Sequence, residues 1–365
     1  MMRSSMRRMR QRWLWPLCLV LLVTQASRAQ RDVSIGVLGL FHPKEMLLEQ
    51  GSGEVISVTA ADGSKNRVLT LNGEPGHRQL VLRADGKRVL AGAYSVDKLA
   101  VTSRGGGGTA FRLMVPGKIR RVYRGRLTVE AKNGELLAVV MMDRELAVAS
   151  IVGAEMNEST PMEALKAQAV ATRSFLSAGA RHTNSDFCDT THCQFLKSPP
   201  PPASRISRAV AATRGLVILY QEKPLGAMYS SRCGGRTRSL RDVGMDPGEG
   251  YPYFAVECKW CLEHPLVWQS RIGRGAQAPV AGDEGQRIAR AREWGWSAIP
   301  GSDFTATEEG SAWHLEGHNI GHSVGMCQFG AVGMAASGAG FREILAHYYP
   351  NTTVVALAPQ SLAVQ

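Results

Sequence analysis

Glu155 stands at the end of the run Ile151-Val-Gly-Ala-Glu155-Met156, just before a strongly marked helix. A carboxyl on a connector into a rigid helix is well placed for acid–base work. Its apolar neighbours Ile151, Val152 and Met156 would desolvate it and raise its pKa, keeping a proton available to donate. A single glutamate before a helix is otherwise an ordinary solvated charge. Downstream, His182-x5-Cys188-x3-His192-Cys193 gathers two imidazoles and two thiols within twelve residues, a donor set suited to a tetrahedral zinc ion. Four such ligands close the coordination sphere and make the ion structural, whereas metal-activated water needs an open position. A third group comprises Cys233, the close pair Cys258 and Cys261, and Cys327. It forms either an all-thiolate metal site or two disulfides, with His264 as an additional candidate ligand. An even cysteine count in an exported chain favours disulfides. A thioredoxin-type redox pair lacks its strand-then-helix context here.

These residues need elements to hold them. Thr160-Pro161-Met162-Glu163 predicts a capping box with proline at the first helical position. Met162, Leu165, Ala169, Thr172 and Phe175/Leu176 then recur at helical spacing and mark a buried face. Upstream, residues 30 to about 145 read as short strands punctuated by Asp62-Gly63, Asn72-Gly73 and Asp85-Gly86. Arg126 to Glu130, the turn Asn133-Gly134 and Leu136 to Val140 predict a hairpin. Gly105 to Gly108 predicts a loop, because no lysine–serine/threonine pair follows it as in a phosphate cradle. Pro199 to Pro202 predicts a stiff extended link before a helix over Ser204 to Thr213. No solenoid or propeller period is present. The expected class is α+β: antiparallel sheet carrying a packed catalytic helix, preceded by a β-rich extension.

At the N-terminus, Arg3, Arg7, Arg8, Arg10 and Arg12, the apolar run Trp13 to Thr24 and Ser27-Arg28-Ala29 read as a cleavable signal peptide over 1–29. The apolar run is short for a membrane span, so export with cleavage, without a transmembrane anchor, is expected. The leader carries six arginines and no acid, so its removal halves the formal net charge of +12. The remaining surplus suits work near an anionic envelope polymer. Nucleic acid is excluded as a partner by export and by the lack of a basic stripe interleaved with aromatics. Arg120, Arg121, Arg124 and Arg126 read as a solvated strand face.

The run Ala154-Glu155-Met156 followed by Pro161-x-Glu163-Ala-Leu-Lys166-Ala-Gln168-Ala-Val-Ala-x-Arg173-Ser-Phe resembles the stage II sporulation protein D / LytB amidase-enhancer family of bacterial cell-wall proteins. Three further ordered blocks agree: Asp186 to Gln194, Tyr229 to Thr237, and Gly317 to Ala331 with its continuation to Thr352. The resemblance implies a core domain over 115–357 after a β-rich region over 30–114. It implies lytic transglycosylase activity on glycan strands of peptidoglycan, on strands stripped of stem peptides, with Glu155 essential. It implies a zinc ion on Cys188, His192 and Cys193, with His182 as the fourth ligand, bracing the cleft wall. Lys166, Gln168, Arg173, Tyr229, Ser230, Ser231, His322 and Gln328 are the implied substrate-binding residues. Ser323 departs from the glycine that relatives commonly carry there, and Cys327 from a common serine. A second implied role is that of a non-catalytic amidase enhancer, bound to the wall and stimulating a partner amidase. Either role places the protein in the periplasm or cell wall. A serine hydrolase is excluded by residue order, and a zinc peptidase by the closed ligand set and the lack of His-Glu-x-x-His.

Overall fold

The computed structural model describes residues 32–51, 53–69, 79–246, 250–273 and 278–357. The expected leader and the Asn72-Gly73 turn lie outside the described residues. Eleven strands come first: β1 (Asp32–Val37), β2 (Glu45–Gln50), β3 (Ile56–Asp62), β4 (Lys65–Leu69), β5 (Gln79–Asp85), β6 (Arg88–Ala91), β7 (Tyr94–Val96), β8 (Lys98–Ser103), β9 (Thr109–Val115), β10 (Ile119–Lys132) and β11 (Glu135–Asp143). They pair in the order β1-β11-β10-β9-β2-β5-β6-β7, with β8 on β10 and the β3–β4 hairpin on β8. All these pairings are antiparallel.

β10 curls the sheet. Its first half pairs with β9 and its second half with β11 and β8. The change of partner falls at Gly125, where a Cβ would collide with the Met141 carbonyl. Alternation then does the packing: Val33, Ile35 and Val37 of β1, Phe111 and Leu113 of β9, Leu127 and Val129 of β10 and Val140 of β11 all point into one core. The expected hairpin is present. Asn133 (φ 55°) and Gly134 (φ 78°) make a two-residue turn between the paired Lys132 and Glu135. The four-glycine run is the β8–β9 loop.

The basic strand face is not simply solvated. Arg120 pairs with Glu49 (2.8 Å), Arg124 with Glu54 (2.6 Å) and Arg126 with Asp32 (3.0 Å). Arg121 reaches the buried Asp189 at 3.1 Å. Carboxylates distant in sequence supply the partners, which periodicity along one strand could not reveal.

The remaining elements are α1 (Arg144–Glu155), α2 (Met162–Ser177), β12 (Phe187–Cys188), α3 (Arg205–Ala212), β13 (Leu216–Tyr220), β14 (Lys223–Pro224), β15 (Tyr229–Ser230), α4 (Lys259–Glu263), β16 (Trp268–Gly273), α5 (Glu284–Trp294), β17 (Phe304–Glu309), β18 (Ala312–Gly317), β19 (Met326–Cys327), α6 (Gln328–Ala336), α7 (Phe341–Tyr348) and β20 (Thr353–Ala356). Three small sheets join them: β14-β13-β20, β15-β19 and β16-β18-β17. The class is mixed α+β, as expected.

α2 is the central helix. Leu165, Ala169 and Phe175 face the core under the large sheet. Ala167, Val170 and Ala171 face a second core built with Ile218, Val324, Met326 and Tyr348. Its alanines leave room for neighbours on both sides, so it is buried nearly all round rather than along one stripe. The expected capping box is absent. Pro161 occupies the N-cap without a side-chain bond, and Glu163 is engaged elsewhere. α3 begins as expected, with Ser204 accepting from the Ser207 amide (3.0 Å) after the four prolines. No helix among the described residues is long and apolar enough to cross a membrane.

Candidate active site

Glu155 is not on a connector. It is the last residue of α1, a helix that begins directly at the end of β11, where Asp143 accepts from the Leu146 amide (3.1 Å). Asp143 was the legible start signal, but the strand's apolar run leads into it without a break. Ala147, Val148, Ile151 and Val152 bury the helix against the core, and Met156 leaves it in extended conformation. The carboxyl is thus presented from a rigid support.

Burial raises the Glu155 pKa, opposed by the hydrogen bond from Gln328 and by the positive charge of Lys197. Its place at the negative end of the α1 dipole also disfavours the carboxylate. Gln328 Nε2, at the start of α6, donates to Glu155 Oε2 (3.1 Å) and to Gln168 Oε1 of α2 (3.3 Å). Gln168 in turn donates to Thr172 Oγ1 (3.4 Å). Three helices therefore meet through one amide network behind the carboxyl. The Tyr229 hydroxyl on β15 is buried in the same neighbourhood without a partner at bonding geometry; burial first, and the nearby Glu155 second, push its pKa up.

The other expected residues divide. Ser230 Oγ is buried without a partner, and Ser231 is exposed, its carbonyl accepting from the Phe329 amide (3.1 Å). β15 pairs in parallel with β19, Tyr229 opposite Met326 and Ser230 opposite Cys327, so both strands reach the site together. His322 does not bond Glu155. Its Nδ1 accepts from the Val324 amide (3.0 Å), and burial lowers its pKa, which fixes a neutral ring that holds backbone. Ser323 adopts φ 60°, where glycine is at ease, and its Oγ accepts from Asn319 Nδ2 (2.7 Å).

Arg173 is a correction to the substrate-binding set. Its guanidinium is only 2% exposed and forks onto both oxygens of Glu145 (2.8 and 2.7 Å). It also donates to the carbonyls of Ala169, Leu216 and Val210, tying α2 to α1, α3 and β13. No donor is left to offer a sugar. Lys166 is partly withdrawn as well, paired with Glu163 at 2.6 Å. Glu163 additionally accepts from the Phe341 amide (2.9 Å) at the start of α7, which explains the missing cap on α2. Glu158 accepts from the Arg205 amide (2.8 Å) at the start of α3.

Lys197 went unforeseen. It lies in the link that follows His192 and Cys193, and with Gly153, Met156, Asn157, Ser198 and Ile206 it lines a hollow of about 560 Å³ beside the end of α1. The ligand atoms of His182, Cys188, His192 and Cys193 lie within 4.8 Å of one another at the root of that link. His182 Nε2 is 3.2 Å from Cys193 Sγ, and His192 Nδ1 is 3.6 Å from it. Such spacings are those of the edges of a zinc tetrahedron with bonds of about 2.0–2.3 Å. The donor set fits.

The chain is an α+β protein in which a rigid helix end carries one half-buried carboxyl backed by an amide network, and a separate cysteine–histidine cluster stands at the root of the link that carries Lys197. A family model described as "Stage II sporulation protein" matches residues 132–220, which span β11, α1, α2, the cysteine–histidine cluster and α3. The chain is 28% identical over 268 residues to an uncharacterized protein of Brachyspira hyodysenteriae, covering 64% of this chain and 72% of that one. It is 26% identical over 252 residues to stage II sporulation protein D of Bacillus amyloliquefaciens, covering 57% and 72%. An amidase enhancer of Bacillus subtilis is 24% identical over 285 residues, covering 56% of this chain and 39% of the enhancer. Over these stretches the chain is similar to the stage II sporulation protein D / LytB family.

Proposed function

We propose that this chain is an exported lytic transglycosylase acting on peptidoglycan glycan strands stripped of stem peptides. The observation that carries the reading is the single carboxyl of Glu155, half-buried, raised in pKa and held by Gln328. The two carboxylates closest in sequence, Glu158 and Glu163, are occupied by helix-terminal amides. Glycosidases that use water flank the bond with two carboxyl groups. One suffices for an internal displacement. Protonated Glu155 donates to the glycosidic oxygen as the bond between N-acetylmuramic acid and N-acetylglucosamine breaks. The resulting carboxylate then takes the proton of the muramyl 6-hydroxyl as that oxygen bonds to C1. The product is a 1,6-anhydro end, no water is consumed, and Glu155 is protonated again.

The roles of the other residues follow from their bonds. Gln328 and Gln168 orient the carboxyl, Tyr229 and Ser230 offer buried hydroxyls, and Lys197 supplies positive charge beside the cleft. A zinc ion held by His182, Cys188, His192 and Cys193 would be structural, fixing the root of the Lys197 link. Incubating denuded glycan strands with the protein and with Glu155→Gln, then reading the ends by mass, tests the proposal. The likeness to an amidase enhancer favours a second reading, a wall-bound stimulator of a partner amidase. That reading predicts faster cleavage by a purified amidase when either the protein or Glu155→Gln is added.

A further inference from the structure

Cys233, Cys258, Cys261 and Cys327 arrive from four separate places. Cys233 follows β15, Cys258 precedes α4, Cys261 lies in its first turn, and Cys327 ends β19. All four are buried, at most 3% exposed, and none is bonded to another. Their sulfurs converge on one point instead of forming two pairs. Every Sγ lies within 4.8 Å of the other three, and Cys261 and Cys327 are 3.6 Å apart. Four sulfurs each about 2.3 Å from a central ion sit a little under 4 Å from one another, and tetrahedral all-sulfur sites suit zinc.

The surroundings fit thiolates. The Gly330 amide donates to Cys327 Sγ (3.4 Å), and the Tyr348 hydroxyl lies 3.3 Å from Cys258 Sγ. Gly330 has no side chain because a Cβ would run into Tyr348 and into Cys258 Sγ. The Cys258 amide donates to the Gly235 carbonyl (2.8 Å), drawing the loop after Cys233 over the cluster. Donors to the sulfur atoms are the outer support a metal–thiolate centre requires.

We propose that these four cysteines form a second zinc site, distinct from the cysteine–histidine cluster, that clamps the two strands reaching Glu155. Zinc displaces the thiol protons to solvent and no electron moves. The consequence for the acid–base site is direct: Cys327 immediately precedes Gln328, and Cys233 lies three residues beyond Ser230. The ion would thereby hold the donor to Glu155 in register with Tyr229.

The test is the metal content of the full mature chain by elemental analysis, against Cys258→Ser/Cys261→Ser and against His182→Ala/Cys188→Ser. The wild type should hold one zinc more than the first variant, whatever the occupancy of the other cluster. Cobalt substituted into the second variant should show the absorption of a tetrahedral all-thiolate centre. Should the first variant fail to fold, the wild type still decides: denatured with chelator and without reductant, it should alkylate at all four cysteines. Equal zinc in wild type and first variant, iron in place of zinc, or disulfide-linked peptides joining these cysteines would each overturn the proposal. None of these readouts depends on glycan cleavage, so they separate this site from the transglycosylase reading.

Discussion

Replacing Arg173 with alanine tests whether this residue is structural or a contact for sugar. The wild-type guanidinium satisfies both oxygens of Glu145 and three carbonyls from α2, α3 and the start of β13. Removing one partner of a buried ion pair typically costs about 3–5 kcal/mol, because the other charge is left behind. Glu145 keeps 15% side-chain exposure, so solvent recovers part of its solvation and the lower figure, about 3 kcal/mol, is expected. At about 1.4 °C per kcal/mol for a chain of this size, the melting temperature should fall by roughly 4 °C. Glu145→Gln should lose part of the same stability, and the double substitution should lose less than the sum. Thermal melts read the loss, and glycan binding by the folded Arg173→Ala at low temperature should be near wild type. An unchanged melting temperature with weakened glycan binding would refute the reasoning and return Arg173 to the cleft.

Gln328→Met removes the donor that favours the Glu155 carboxylate, so the pKa of Glu155 should rise further. The alkaline limb of the rate–pH profile should move to higher pH; a move to lower pH would show that Gln328 does not act on this carboxyl. Because folding raises the Glu155 pKa, the folded state binds that proton more tightly, and the stability from this group is lost as pH rises from the unfolded toward the folded value. Glu155→Gln should therefore gain melting temperature relative to wild type as pH rises from about 4 toward neutrality. A difference that is flat or shrinks over that range would contradict a raised pKa. His182→Ala should lower zinc content and melting temperature together, and cleavage only in proportion to unfolding. Complete loss of cleavage by a fully folded His182→Ala would instead make the ion catalytic.

Local signals carried far where one stretch of chain decided the outcome. Asn133-Gly134 set the hairpin because both positions need positive φ, and Ser204 after four prolines set the start of α3. The cysteine–histidine cluster was legible because its ligands fall within one short link. What failed depended on partners far along the chain. Arg173 was offered to substrate because Glu145, its partner 28 residues upstream, cannot be found by helical spacing. Glu163 was assigned to its own helix because the Phe341 amide lies 178 residues away. The helix that carries Glu155 is harder to read, because only Asp143-Arg144-Glu145 separates the apolar run of β11 from that of α1. Gln328 was named for its block, but its bond to Glu155 spans 173 residues and only the fold reveals it.

The central claim is that Glu155 alone breaks the glycan and closes the anhydro ring. Mass analysis of denuded strands after incubation with the wild type and with Glu155→Gln tests it most directly. The account predicts 1,6-anhydro-muramyl ends from the wild type and intact strands from the variant. Reducing ends carrying one added water, or no cleavage by a folded wild type, would contradict it.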